Sequence, residues 1–228
     1  MDESREAHVS AVAALEEPTR RKLYEHVTRQ PQPVSRDEAA WACELPRATA
    51  AFHLDRLADE GLLDVVYERR TGRTGPGAGR PAKLYRRSDR RVAVSLPERR
   101  YELAARLFAA AVEDTERTDE PSRTALDRHA YEMGKRLAAE ALAARNDAGG
   151  AESVLRVLEE YDFEPRANDG AVVLGNCPFH ALATEHPEMV CGMNLRLLSG
   201  FLAGLGATAL TAKLAPAPGH CCVRIDPA

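Results

Sequence analysis

Aromatic residues are scarce in this sequence. Phe, Trp and Tyr make up 5% of its 228 residues, with a single Trp, so alanine, leucine and valine must fill most of any core. No stretch approaches the ~18 consecutive apolar residues that a membrane-crossing helix requires, and no membrane contact is expected. The opening MDESREAHVS lacks an apolar segment preceded by positive charge, so it does not read as a signal peptide and a cytoplasmic setting is expected. Cysteines number five, an odd count that fits a closed disulfide framework poorly. In a reducing compartment, clustered thiols favour metal or redox chemistry instead. The glycine-rich stretch GPGAG at 75–79 lacks the Gly-Lys-Ser/Thr ending of a phosphate-binding loop, which removes the simplest nucleotide site.

What is present is a soluble composition, 44% hydrophobic and 29% charged, with enough apolar surface for a core. The length suits one large domain or two modest ones. The formal net charge of −4 argues against a polyanion binder, but its distribution does not. Residues 69–100 hold eleven Lys or Arg against Asp89 and Glu98, whereas residues 101–228 hold twelve basic and nineteen acidic side chains. One part of the chain is built to meet polyanions and the other is not.

In the first hundred residues, Val9, Val12, Ala13 and Leu15, then Leu23, Tyr24 and Val27, recur at helical intervals on either side of Pro18. Pro31 and Pro33 close that segment. Ser35 with Glu38 three residues later forms the signature of a capping box opening a short helix, DEAAWAC. In ELPRATAAFHLDRLADEGLL, Pro46 suits the opening turn of a helix and Gly61 its end. Leu54, Leu57 and Ala58 share one face; Thr49, His53 and Arg56 share the opposite one, at steps of four and three. Taken alone this is an ordinary amphipathic helix; it is also the pattern of a recognition helix in the major groove, with Arg47 at its start. LLDVVYERR reads as a strand, TGRTGPGAGRP as a tip and AKLYRRS as a returning strand. The resulting hairpin carries Arg69, Arg70, Arg73, Arg80, Lys83 and Arg86, a basic wing for phosphate contacts.

This succession resembles the winged helix-turn-helix of bacterial regulators in the ArsR/MarR-like group. EEPTRRKLYEHV, AAFHLDRLADEGLL and GRPAKLYR carry the resemblance, which covers roughly the first ninety residues and implies a dimer on double-stranded DNA. LPERRYELAARLFAAAVEDTE then offers a long helix with Tyr101, Ala104, Ala105, Phe108 and Val112 on one stripe and Leu103 and Leu107 widening it. The same helix of a second chain is the expected partner, giving a homodimer; packing inside the chain against TALDRHAYEMGKRLAAEALAA is the alternative.

RNDAGGAES reads as a linker, so three parts are expected: a DNA-binding domain at 1–92, a helical dimerisation region at 93–148 and a small α+β domain at 149–228. The fold class is α+β. In the last part Asn168-Asp169-Gly170 marks a hairpin turn, residues 188 to about 206 read as a helix, and TALTAKL and CCVRI read as strands. Cys177, Cys191, Cys221 and Cys222 all fall at the ends of these elements. Cys43 reads as a small buried residue. If Val223 and Ile225 face the core, Cys221 points inward and Cys222 outward. Thiolates select zinc, copper(I) or iron–sulfur clusters. A closed zinc site would take Cys177, His180, Cys191 and one of the final pair.

The winged helix followed by Cys177-Pro-Phe, by Cys191 and by a late cysteine looks like the SufR family of iron–sulfur-dependent repressors. That resemblance implies a 2Fe-2S or 4Fe-4S cluster held mainly by three cysteines, with Cys177 and Cys191 matching by position and Cys221 or Cys222 as the third. The doubled final cysteine and His180 depart from the pattern, and zinc remains the alternative. The expected function is therefore a metal- or cluster-dependent repressor with no enzymatic activity. Two other readings compete with it. One is a regulator with an apolar effector pocket lined by LRLLSGFLAGLG; the other is a thiol enzyme with Cys177 as nucleophile and His180 as base.

Overall fold

Apolar residues three and four apart build α1 (Glu3–Ala14) and α2 (Pro18–Thr28) in the computed structural model, which describes residues 3–69, 81–147, 149–168 and 170–228. Pro18 opens α2, where its missing N–H costs nothing. The Glu17 carboxylate caps that helix, accepting from the backbone N–H of Thr19 at 3.0 Å and of Arg20 at 2.6 Å. After β1 (Val34–Ser35), α3 (Arg36–Ala42) starts on the expected capping box. The Glu38 N–H reaches Ser35 Oγ at 3.2 Å and the Ser35 N–H reaches the Glu38 carboxylate at 2.7 Å, an arrangement worth ~1 kcal/mol. Next come α4 (Arg47–Asp59), β2 (Leu63–Glu68) and β3 (Ala82–Arg87).

The strands form an antiparallel sheet in the order β1-β3-β2, with Val65 opposite Tyr85 and Val34 also opposite Tyr85. β1 is too short to show alternation, so only its pairing reveals it. Leu23, Val27, Ala39, Ala50, Leu54, Leu57, Leu63 and Tyr85 fill the core between helices and sheet. Gly61 ends α4 at φ +70°, a left-handed conformation that favours glycine. These elements make up the first of two compact units, Met1–Val94; the second is Ser95–Ala228.

The second unit contains α5 (Tyr101–Arg117), α6 (Ser122–Arg145), α7 (Ala151–Glu160), β4 (Pro165–Asn168), β5 (Ala171–Leu174), α8 (His180–Glu185), α9 (Pro187–Gly204), β6 (Leu210–Leu214) and β7 (Val223–Pro227). Its antiparallel sheet runs β4-β5-β7-β6, with Val172 opposite Ile225 and Leu214 opposite Val223. The short α8 stands just after Pro178, where the sequence allows a turn or helix. α9 is buried along most of its length, at Val190, Met193, Asn194, Leu197, Leu198, Gly200, Phe201 and Leu202, because it packs on the sheet and on α6 at once.

Glycine sets the α6–α9 approach. A Cβ at Gly134 would lie 2.0 Å from the Leu197 carbonyl oxygen, and one at Gly200 would lie 2.0 Å from that of Tyr131. LRLLSGFLAGLG is thus packed against a neighbouring helix along its glycine face. α5 lies on α6, burying Ala104, Leu107 and Ala111. Helices α5 and α6 therefore share one continuous core with the cysteine-bearing remainder, where the sequence suggested two separate parts.

Candidate functional site

Neighbouring strands and one helix start bring the late cysteines together. Cys177 follows β5 in a short loop, and the Cys221 N–H donates to the Leu174 carbonyl at the end of that same strand, at 2.9 Å. Cys222 stands just before β7, and Cys191 lies in the first half of α9. All are free thiols. The thiols of Cys177 and Cys221, of Cys221 and Cys222, and of Cys191 and Cys222 lie near enough to perturb one another's ionisation. Cys177 and Cys221 are buried; Cys191 and Cys222 are half-buried. Val223 and Ile225 do face the core, and Cys221 is buried beside them as that pattern requires.

The neighbouring Cys221 thiol, reinforced by burial, pushes the Cys177 thiol far above its ordinary range. For Cys221 the Cys177 thiol pulls downward, but the Cys222 thiol and burial outweigh it and leave Cys221 at about 12. Burial also raises Cys191. These are proton-holding thiols, the reverse of an activated nucleophile. As the side chains stand, no group of three or more His, Cys, Asp or Glu among the described residues is arranged to hold a metal ion.

His180 does not join this network. It opens α8 with an exposed side chain, and its backbone N–H donates to the Cys177 carbonyl at 3.0 Å. Cys43 is buried at the end of α3 in the other unit, as its reading as core filler requires.

Residues 98–100, which lead from the end of the first unit into α5, are tied to the Cys177 loop. The Arg99 guanidinium donates to Asn176 Oδ1 at 2.5 Å and to the Cys177 carbonyl at 3.2 Å. The buried Asn176 returns the contact, donating to the Glu98 carbonyl at 3.3 Å and to that of Asp162 at 2.6 Å. The Arg100 N–H donates to the Pro178 carbonyl at 3.0 Å, and its guanidinium pairs with Asp162 at 2.7 Å. No spacing in the sequence announces this tether, which joins residues 77 apart.

In the first unit, α4 packs against α1, α2, α3 and β2, a wider buried arc than one apolar stripe suggests. His53 is consequently turned inward, 14% exposed, with Nδ1 3.6 Å from the Glu17 carboxylate. Arg56 pairs with Glu60 at 2.6 Å. Thr49 is half-buried. Arg47 is exposed and pairs with Asp37 across to α3. The exposed positions of α4 are Arg47, Ala48, Phe52, Arg56 and Asp59, with Phe52 68% exposed. Asp55 is held by Lys83 and by the Tyr85 hydroxyl, each at 2.5 Å, which fixes β3 to the helix. Arg69 is exposed just beyond β2; Arg70, Arg73 and Arg80 lie outside the described residues.

Residues 15–66 match the family model of a helix-turn-helix domain. No curated protein and no solved structure matches the chain. The match spans α2, α3 and α4, with β2 at its end, so α4 occupies the recognition position. The helix-turn-helix domain supports a DNA-binding transcriptional regulator. Among the described residues no helix is long and apolar enough to cross a membrane. Phe52 is the candidate base reader that sequence reasoning missed. Its signal was available: Ala48, Phe52 and Asp55 recur at helical steps, but an apolar residue between polar ones reads as core by default.

Proposed function

We propose that the protein is a homodimeric, metal- or iron–sulfur-dependent repressor that binds double-stranded DNA through α4 and the basic β2–β3 wing. The observation supporting the metal-dependent part is that Cys177, Cys191, Cys221 and Cys222, from three separate stretches of chain, lie near enough to perturb one another's thiols. Such a donor set fits soft metals, zinc or an iron–sulfur centre. Cys177, Cys191 and Cys221 would hold the group, with Cys222 beside them. When bound it supplies a charged centre that cross-links β5, α9 and β7.

The chain's own residues carry the response. The thiols release their protons on loading, and the Cys177 loop is held in one position. Arg99 and Asn176 pass that position to residues 98–100 and, by chain continuity, toward the helix-turn-helix unit. DNA affinity shifts only by the difference in metal affinity between the two arrangements. On α4, Arg47, Thr49 and Phe52 face the bases, Phe52 meeting thymine methyl groups, while Arg69, Arg70, Arg73 and Arg80 meet phosphates. The dimer is supported by Tyr101, Ala105 and Val112, exposed along one face of α5 with the half-buried Phe108 among them, an apolar strip that a second copy would cover.

The test is purification without oxygen, followed by elemental analysis, an absorption spectrum and DNA titration with and without the metal. Iron with visible absorbance, abolished by Cys177→Ser or Cys191→Ser, is expected; zinc without iron selects the zinc form. Arg99→Ala should keep the metal and lose the metal-dependent change in DNA affinity. A wild-type protein that takes up neither metal overturns the metal-dependent reading.

A further inference from the structure

Asn194 is the polar side chain most deeply set in the larger unit. It is fully buried and stands on α9 three residues after Cys191, so both rise from one helix face. Its Nδ2 donates to the Cys221 sulfur at 3.2 Å, while its Oδ1 has no hydrogen-bond partner among the described residues. Turning the amide over does not repair this, because the NH2 group would then be the unpartnered end. Buried carboxamides are normally satisfied at both ends, and a leucine would occupy this apolar setting without any polar group to desolvate. The buried positions around it on α9 are Val190, Met193, Leu197 and Leu198. Asparagine here destabilises the thiol form of the protein unless something else meets the amide.

We infer that Asn194 is the oxygen donor of the thiol site, its carboxamide joining the Cys177, Cys191 and Cys221 sulfurs around one zinc ion or one iron–sulfur centre. The inference rests on the metal-dependent reading above and names its non-thiol member. Contact with Asn194 selects Cys221 from the adjacent pair and leaves Cys222 at the rim. Charge supplies the chemical reason. Three thiolates and a neutral amide around a zinc ion leave one net negative charge, whereas four thiolates leave two, and burying the smaller charge costs less. Zinc accepts oxygen donors alongside sulfur.

The experiment uses the full chain prepared without oxygen. It is loaded with zinc alone, with cobalt(II) as a coloured stand-in for zinc and, separately, with ferrous iron plus sulfide. Asn194→Leu removes the amide and keeps the volume; Asn194→Asp keeps an oxygen donor. For Asn194→Leu, the metal-free protein should unfold at the same or a higher temperature than wild type. Its zinc affinity should fall at least tenfold, and the cobalt d–d bands and iron-centre absorbance should change. Asn194→Asp should keep zinc to within severalfold while shifting the cobalt bands. A residue that merely hydrogen-bonds Cys221 would leave those bands in place, and that outcome overturns the inference while the thiol site stands. So does an Asn194→Leu protein that binds zinc as tightly as wild type. If the Leu variant does not fold, a folded Asn194→Asp protein that has lost zinc overturns it equally. Wild-type protein that binds none of the three metals removes the metal-dependent reading itself, and the inference with it.

Discussion

Met1–Val94 keeps its charged groups near the surface and answers them locally: Arg47 with Asp37, Arg56 with Glu60, Lys83 with Asp55. Ser95–Ala228 does the opposite with its chemistry-bearing groups, placing Cys177, Cys221, Asn176 and Asn194 inside the core. The first arrangement leaves an outward helix face and wing to meet a large external partner. The second gathers thiols and carboxamides from segments distant in sequence into its interior. Exposed ion pairs contribute little to stability, so the first unit must rest on its apolar core. The second depends on close helix packing and on how its buried polar groups are satisfied.

That contrast breaks most readily at Gly134. A side chain there must displace the backbone of α9 at Leu197 and Phe201, where a Cβ would sit 2.0 and 2.8 Å from main-chain atoms. Gly134→Val should cost the larger unit ~3 kcal/mol or more, the upper range for overpacking. In a calorimetric scan, the transition of Ser95–Ala228 should fall while that of the helix-turn-helix unit stays in place. Transitions that move together would show that the two units do not unfold independently.

A smaller effect sharpens the other side of the comparison. Phe52 is exposed on α4 and contributes little to folding, so Phe52→Ala should leave stability within ~0.5 kcal/mol. Selection from random duplexes should show a changed preference at thymine positions. At those positions, replacing thymine by uracil should weaken wild-type binding about fourfold, the value of one buried methyl group, and should leave the variant's binding unchanged. A uracil penalty equal in both proteins would remove Phe52 from the bases. His53→Ala makes the complementary measurement: with its ring turned toward Glu17, it should alter stability more than sequence preference.

Most of the smaller unit was legible because its signals are local. The Ser35–Glu38 capping box, Pro18 and Gly61 are each read within a turn or two of the residue they govern. The orientation of His53 was not, because periodicity marks a polar stripe without saying how many elements surround the helix. The hairpin at 168–170, the long α9 and both late strands were also legible, and so was the inward face of Cys221. The tether from Arg99 to Asn176 was invisible because it joins residues 77 apart. Asn194 was passed over for a related reason: within CGMNLRLL it reads as one polar position on a helix, and only the packing of α9 between α6 and the sheet buries it. Local chemistry thus announced the elements, and non-local packing decided which side chains meet.

The smallest expected effect tests whether the surface ion pairs are as weak as the comparison assumes. Burial raises the Asp55 carboxyl, but hydrogen bonds from Lys83 and Tyr85 outweigh it and hold its pKa below the usual carboxylate value. A carboxylate depressed in the folded state adds stability above its unfolded pKa and loses it as pH falls through the folded one. Asp55→Asn should therefore lower the stability of the first unit at neutral pH and flatten its decline below the ordinary carboxylate range. Lys83 and Asp55 are 39% and 49% exposed, so solvent screening limits their pairing to no more than ~0.5 kcal/mol. Urea midpoints of the first unit measured from neutral to acid pH would show it. Parallel declines in the two proteins would mean that the β3–α4 contact is held by Tyr85 packing alone, and Lys83 would then be free to serve the phosphates as the sequence first suggested.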